Sequence, residues 1–241
     1  MVANQLGATL RTLADLVMPA DCAGCGTPAT AGICGQCVAG LRGLVPYETE
    51  PTPAPPGLPP CITLGRYDGP LRHLVLAYKD DGRHRLATHL AAPLARGVAA
   101  SVLRLGRPPC SPIMIVPVPS SAAAARARHG DHMRRLGNHA VRSLNSAGWP
   151  AVLATVASAR PRADSVHLSA AERADAARDA FCVRTSTARR AAVAAASASV
   201  IVIDDVLTTG ATLASLTSRL RSLGVRVDAA ATLAATVRRA A

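Results

Sequence analysis

Residues 199–212, reading SVIVIDDVLTTGAT, constrain the fold of this chain more than any other stretch. Residues 200–203 are an unbroken β-branched run, the pattern of a short strand covered on both faces, as in a parallel sheet. Two adjacent carboxylates, Asp204 and Asp205, follow, and the strand is expected to end at them. Thr208, Thr209, Gly210, Ala211 and Thr212 then form a loop of small and hydroxyl-bearing residues, and residues 213–216 open a helical pattern. Unpaired backbone N–H groups and the helix dipole at such a junction favour an anion, phosphate above all. Carboxylates at a strand end beside a phosphate cradle suit a ligand carrying both hydroxyls and phosphate, and a ribose 5-phosphate meets that description. The same residue types also occur as plain turn formers and caps. A plain turn, however, needs neither two acids nor three threonines around one glycine.

The remainder of the chain alternates strand and helix patterns. Strands are expected at 61–67, 113–118, 151–156 and 229–236, and helices at 70–78, 86–105, 122–144, from Ser169 onward, and at 212–223. Ser169 and Glu172 have the spacing of a capping box. Such alternation implies an α/β fold with a mainly parallel sheet and right-handed crossovers. Residues 122–144 read as one continuous helix carrying Arg126, Arg128, Arg134, Arg135 and Arg142 against Asp131 alone. That face is either a phosphate-contacting patch or a solvated surface. His129 and His132 on it are taken as surface residues. Lys79, the only lysine of the chain, lies in the charged loop 78–83. Residues 159–168 are expected to be mobile.

Cys22, Cys25, Cys34 and Cys37 form two CxxC knuckles separated by eight residues. That spacing is the signature of a tetrahedral all-thiolate zinc site, and four thiolates leave no open coordination position, so the ion is structural. Metal binding would supply folding energy that so small a module lacks from a core of its own. The run PTPAPPGLPP at 51–60 is a stiff proline-rich linker. The expected organisation is therefore an N-terminal helix and zinc module at 1–50, the linker at 51–60, and an α/β domain at 61–241.

Hydrophobic residues make up 49% of the chain but aromatics only 2%, so the core must be built from Ala, Val and Leu. The formal net charge of +12 argues for a polyanionic partner, a nucleic acid or an acidic metabolite. One Trp, three Tyr and one Phe leave little for base stacking on single strands, which keeps a merely solvated basic surface in play. No uninterrupted apolar run reaches the roughly 18 residues of a membrane span. The segment 6–17 is amphipathic and lacks the basic and apolar regions of a signal peptide, so a cytoplasmic protein is expected.

The stretch 199–212 resembles the binding motif for 5-phosphoribosyl 1-pyrophosphate (PRPP) of type I phosphoribosyltransferases, in which hydrophobic residues precede two acids and a Thr-Gly-x-Thr loop. The order of features extends the likeness over roughly the whole chain. The double CxxC, the Tyr78-Lys79 loop, the VPVP strand at 116–119 with its Arg-rich sequel, and LSAAERADAARDAF at 168–181 together resemble the ComF family. These are phosphoribosyltransferase-like bacterial proteins with a zinc knuckle, some of them linked to competence for DNA uptake.

The resemblance implies a type I phosphoribosyltransferase-like fold. It also implies that Asp204 and Asp205 hold the ribose hydroxyls directly or through Mg²⁺, that Thr208, Thr209, Gly210, Ala211 and Thr212 cradle the 5′-phosphate, and that Lys79 lies near the pyrophosphate, with Arg128 on the same substrate. PRPP, or a nucleotide of ribose 5-phosphate, is the implied ligand. Single-stranded DNA or DNA-uptake proteins are the partners of the alternative, non-catalytic reading. Two departures bear on the acceptor. Family members usually read RxRGFNQ where this chain has Arg126-Ala127-Arg128-His129-Gly130-Asp131-His132, and Asp164 and Ala176 stand at usual Gln and Asn positions. In addition, Thr208 occupies a place where purine enzymes often carry an acid as general base, which threonine replaces poorly. A purine acceptor is therefore disfavoured.

Overall fold

The computed structural model describes residues 20–29, 31–128, 130–160 and 180–236. The expectations for 6–17, His129, most of 159–168, Ser169 with Glu172, and the family positions Asp164 and Ala176 lie outside these residues. Two short strands, β1 (Ala20–Asp21) and β2 (Pro28–Ala29), pair antiparallel and present the first CxxC knuckle, and helix α1 (Gly35–Gly43) carries the end of the second. Strand β3 (Tyr47–Glu48) and strand β4 (Cys61–Arg66) flank the proline-rich run. Helix α2 (Gly69–Lys79), a 3₁₀ turn (His84–Leu86) and helix α3 (Ala87–Arg104) lead to β5 (Ile113–Pro117). Helices α4 (Ala122–Ala127) and α5 (His132–Ser146) precede β6 (Ala151–Leu153). The hairpin strands β7 (Ala157–Ala159) and β8 (Phe181–Val183) and helix α6 (Thr185–Ala195) come before β9 (Ser199–Leu207), helix α7 (Ala211–Arg221) and β10 (Ala229–Ala235).

Six strands form one sheet in the order β3-β4-β10-β9-β5-β6. All neighbours run parallel except β3, which pairs antiparallel to β4 at the edge. The β-branched run of β9 thus occupies an interior position, covered on both faces as its sequence requires. Alternate residues feed two cores. Ile113, Ile115, Ile201, Ile203 and Leu233 pack under α2, α3 and α5, whereas Met114, Val116, Val200 and Val202 pack under α6, α7 and the hairpin. Alanines at 229–231, 234 and 235 in β10 keep the sheet thin enough for close helix packing without aromatic bulk. The helical stretch His84–Arg104 is long and apolar enough to cross a membrane by length and composition alone, and most of it is buried inside the protein.

The four-cysteine module shares that first core, since Cys22, Cys37 and Leu41 belong to it. It is also tied to the helices by hydrogen bonds. Arg96 donates to the carbonyls of Leu41 and Leu44 at 2.9 and 3.0 Å, His73 Nδ1 lies 3.0 Å from the Gly24 carbonyl, and Arg83 donates to the Asp21 carbonyl at 2.8 Å.

Two sequence expectations are corrected. The strand does not stop at the acidic pair: β9 continues to Leu207, because β10 keeps pairing with it through Ala235, opposite Leu207. And 122–144 is not one helix. Gly130 adopts φ +132°, Asp131 caps a new helix by accepting from the Arg134 N–H at 3.0 Å, and the chain turns between α4 and α5.

Candidate functional site

The acidic pair sits where β9 has lost one neighbour. Strand β5 pairs with β9 up to Pro117 opposite Ile203, and one further bond runs from the Val118 N–H to the Ile203 carbonyl at 2.9 Å. From Pro119 the chain leaves toward α4 and α5. The chain following β5 returns over the face of α5, while the chain following β9 returns over the opposite face through α7. Adjacent strands whose connections depart to opposite faces open a crevice at their carboxyl ends, and open α/β sheets bind ligands in such crevices. Here it is a cleft of about 320 Å³ lined by Lys79, Ser120, Arg128, Asp204, Asp205 and Thr208, among others.

Because side chains alternate along β9, the two carboxylates face opposite ways and meet different surroundings. Asp205 is buried and turned toward α2 and α5. Its Oδ2 accepts from Lys79 Nζ at 2.8 Å and from His132 Nε2 at 3.2 Å. Burial alone would raise its pKa, but the His132 hydrogen bond and the Lys79 ammonium outweigh it and hold this carboxyl at about 2. Asp204 is half-buried. Burial, and then the neighbouring Asp205 charge, push it up to about 8, although its Oδ1 accepts from the Asp205 N–H at 2.9 Å and the Lys79 charge lowers its pKa as a minor influence. The pair therefore divides into a carboxyl held as an anion and a neighbour pushed toward neutrality. At Lys79 burial works to lower the pKa, and the Asp205 and Asp204 charges reverse this and raise it.

Lys79 is the last residue of α2 and not a loop residue, so the helix delivers its ammonium to the sheet. Helix α2 and the loop after it are held by the cysteine module: His73 of the helix and Arg83 of the loop bond to its carbonyls, and Gly24 packs so tightly that an added Cβ would lie 2.8 Å from Cys37 Sγ and 3.2 Å from Leu74. Arg128 pairs with Asp80 Oδ1 at 2.9 Å at the rim of the cleft.

The loop after β9 turns sharply into α7 at Gly210. Gly210 adopts φ +74° as the N-cap of α7, a conformation that costs other residues free energy. Thr208 and Thr212 line the cleft, Thr209 and Ala211 are exposed, and Ala211 N–H donates to Thr209 Oγ1 at 3.4 Å. Residues of the proline-rich run lie against this loop, for a Cβ on Gly210 would meet Leu58 at 3.0 Å and Pro51 at 3.3 Å.

Sequence reasoning missed His132. The charged sequence around it suggests a surface position, yet it is 5% exposed, with Tyr78 Oη donating to its carbonyl at 2.6 Å. A signal existed: His132 stands one turn before Leu136 and two before Ala140, on the stripe that α5 buries. Ser120, whose Oγ lies 3.0 Å from His132 Nδ1, was passed over as well.

The second site is the cysteine cluster. The four sulfur atoms of Cys22, Cys25, Cys34 and Cys37 all lie within 4.8 Å of one another, with Cys25 and Cys34 at 3.5 Å. Tetrahedral Zn²⁺ with bonds of about 2.3 Å requires sulfur separations of about 3.8 Å, so the donor set fits a structural zinc ion. The backbone also favours thiolate. The Cys37 N–H above all holds the Cys34 pKa down at about 6. At Cys22, burial is overcome by N–H groups of Cys25, Cys34 and Gly24. Burial and the neighbouring thiols raise Cys37, an effect a bound dication would reverse.

No family model matches this chain, and no curated protein matches it.

Proposed function

We propose that this chain is a ComF-like, phosphoribosyltransferase-like protein that binds PRPP in the cleft at the end of β9 and transfers its phosphoribosyl group to a nitrogen acceptor. The observation that carries the reading is the joint position of Asp204 and Asp205 beside the Gly210 loop, at the point where the connections of β5 and β9 diverge. The 5′-phosphate would lie on the backbone of residues 208–212 at the start of α7, where the helix dipole favours it. Asp204, the carboxylate that is not already bound to a cation, would face the ribose hydroxyls. Lys79 and Arg128 would meet the pyrophosphate, whose departure leaves positive charge at C1 near the carboxylates. Mg²⁺ would enter with the pyrophosphate oxygens that bind it, and its arrival would favour the ionised form of Asp204.

Thermal denaturation with PRPP and Mg²⁺ tests this. At a PRPP concentration of about 100 Kd the stabilisation is about 2.7 kcal/mol, or about 5–10 °C for a chain of this size. Loss of that shift in Asp204→Asn supports the reading, and absence of any shift in the wild type sinks it.

The net charge of +12 favours a second reading, a nucleotide- or single-stranded-DNA-binding protein that uses the fold without turnover. Its signature would be oligonucleotide affinity that falls steeply with salt and survives Asp204→Asn.

A further inference from the structure

Thr208 leaves the motif without a general base, and a nitrogen acceptor that attacks C1 must lose a proton. We infer that Ser120 and His132 supply this function as a proton relay backed by Asp205, an inference that rests on the phosphoribosyl-transfer reading above.

Three groups stand in line. Ser120 Oγ is 3.0 Å from His132 Nδ1, and His132 Nε2 is 3.2 Å from Asp205 Oδ2. An ionised carboxylate can only accept, so Nε2 carries the proton; in the neutral ring Nδ1 is then a bare acceptor, and Ser120 must donate to it. The order hydroxyl, imidazole, buried carboxylate is that of a serine-type triad with the two ring nitrogens exchanged. The geometry is held from several sides. Asp131 Oδ2 accepts the Ser120 N–H at 3.0 Å, Tyr78 fixes the His132 backbone, and Gly137 lets α5 approach the sheet so closely that a Cβ there would lie 2.6 Å from Leu153 and 3.2 Å from Ile203. Lys79 Nζ shares the same Asp205 Oδ2 at 2.8 Å.

Ser120 is the most exposed member of this chain of bonds. His132 and Asp205 are 5% and 3% exposed, whereas Ser120 is half-buried and lines the cleft between Lys79 and the Thr208 loop. With its own proton committed to His132, the Ser120 oxygen presents its remaining lone pair to the cleft, where it can accept from an acceptor N–H. In the transfer step the nitrogen lone pair forms the C1–N bond while the C1–O bond breaks, its electron pair leaving with pyrophosphate. The acceptor proton passes to Ser120 Oγ as the Ser120 proton passes to His132 Nδ1. The imidazolium so formed stays against the Asp205 carboxylate and later loses its proton to water. A histidine here also gives a role to the position where the chain departs from the family's Phe-Asn-Gln.

The test uses the full-length protein with PRPP, Mg²⁺ and ammonia as the nitrogen probe, following pyrophosphate release. Wild type should release pyrophosphate in proportion to ammonia. His132→Asn should lower kcat by about 10²–10⁴ with little change in KM for PRPP, the size of a lost general base. Ser120→Ala should give a smaller loss of the same kind. Binding of PRPP without ammonia-dependent release by the wild type, or both variants turning over at wild-type rates, overturns the relay while leaving PRPP binding intact; failure of PRPP to bind overturns the parent reading and the relay together. A readout independent of turnover is the ¹⁵N spectrum of His132 at slightly alkaline pH. It should show a protonated Nε2 and a hydrogen-bonded, bare Nδ1 whose resonance moves in Ser120→Ala. A proton on Nδ1, or no response to Ser120→Ala, refutes the arrangement even if His132→Asn fails to fold.

Discussion

Replacing Lys79 by methionine should expose how far the site depends on one ion pair. Asp205 retains 4% side-chain exposure and Lys79 32%, with Nζ and Oδ2 at 2.8 Å. At an effective dielectric of about 20 two unit charges at that separation attract by about 6 kcal/mol before desolvation is counted. Deleting one partner of a fully buried pair costs about 3–5 kcal/mol, because the other charge is left buried. Water reaches Lys79, and His132 remains 3.2 Å from the same oxygen, so the net loss for Lys79→Met should be about 2 kcal/mol. For a chain of this size that lowers Tm by about 4–8 °C. The reverse deletion is milder. In Asp205→Asn the freed ammonium can turn to water, which the buried carboxylate cannot do, so the loss should be about 1 kcal/mol. The double variant should recover most of the Lys79→Met loss. Urea denaturation at neutral pH of the four proteins closes the cycle. If Lys79→Met is as stable as wild type, or if Asp205→Asn is the more damaging single change, the reasoning from burial is wrong.

The carboxylate beside it should show the opposite linkage. Asp204 is raised to about 8 in the folded state, so between the unfolded value near 4 and that pH the folded protein binds more protons than the unfolded one, and stability falls as pH rises. Asp204→Asn should abolish this slope and be more stable than wild type at pH of about 8, by about 2 kcal/mol once screening of a half-buried group is counted; urea midpoints across that range decide it. Asp205, held at about 2, contributes stability that is full above the unfolded value near 4 and lost as pH falls toward 2. Metal analysis of the purified protein should find one zinc ion per chain. Its removal by a chelator should lower Tm and speed hydrogen exchange in α2, since the cysteine module holds that helix through His73 and Leu74; unchanged exchange in α2 would show that the module does not brace it.

Much of the architecture was legible because it rests on local pattern. The apolar run before Asp204, the strand at 61–66 and the helices at 69–79, 87–104 and 211–221 all follow hydrophobic period and turn chemistry. The cysteine cluster was legible for a similar reason, since two short knuckles bring their sulfurs together by local geometry. Polarity usually closes a buried strand, so the pattern ends it at the acidic pair, but β10 keeps pairing and carries it on to Leu207. The alanine and arginine residues on both sides of Gly130 favour one long helix, but the glycine adopts φ +132° and breaks it.

What the sequence determined by itself was therefore the inventory: a buried strand, two acids, a glycine loop opening a helix, four thiols at ligand spacing. What only the tertiary structure decided was the division of labour within that inventory. Asp204 and Asp205 are identical in type and adjacent in sequence, yet one is fixed as an anion and the other raised toward neutrality. The pleat turns them to opposite faces of β9, and Lys79 and His132 reach only one of those faces. Those partners lie 126 and 73 residues away along the chain, and no local pattern could have placed them there.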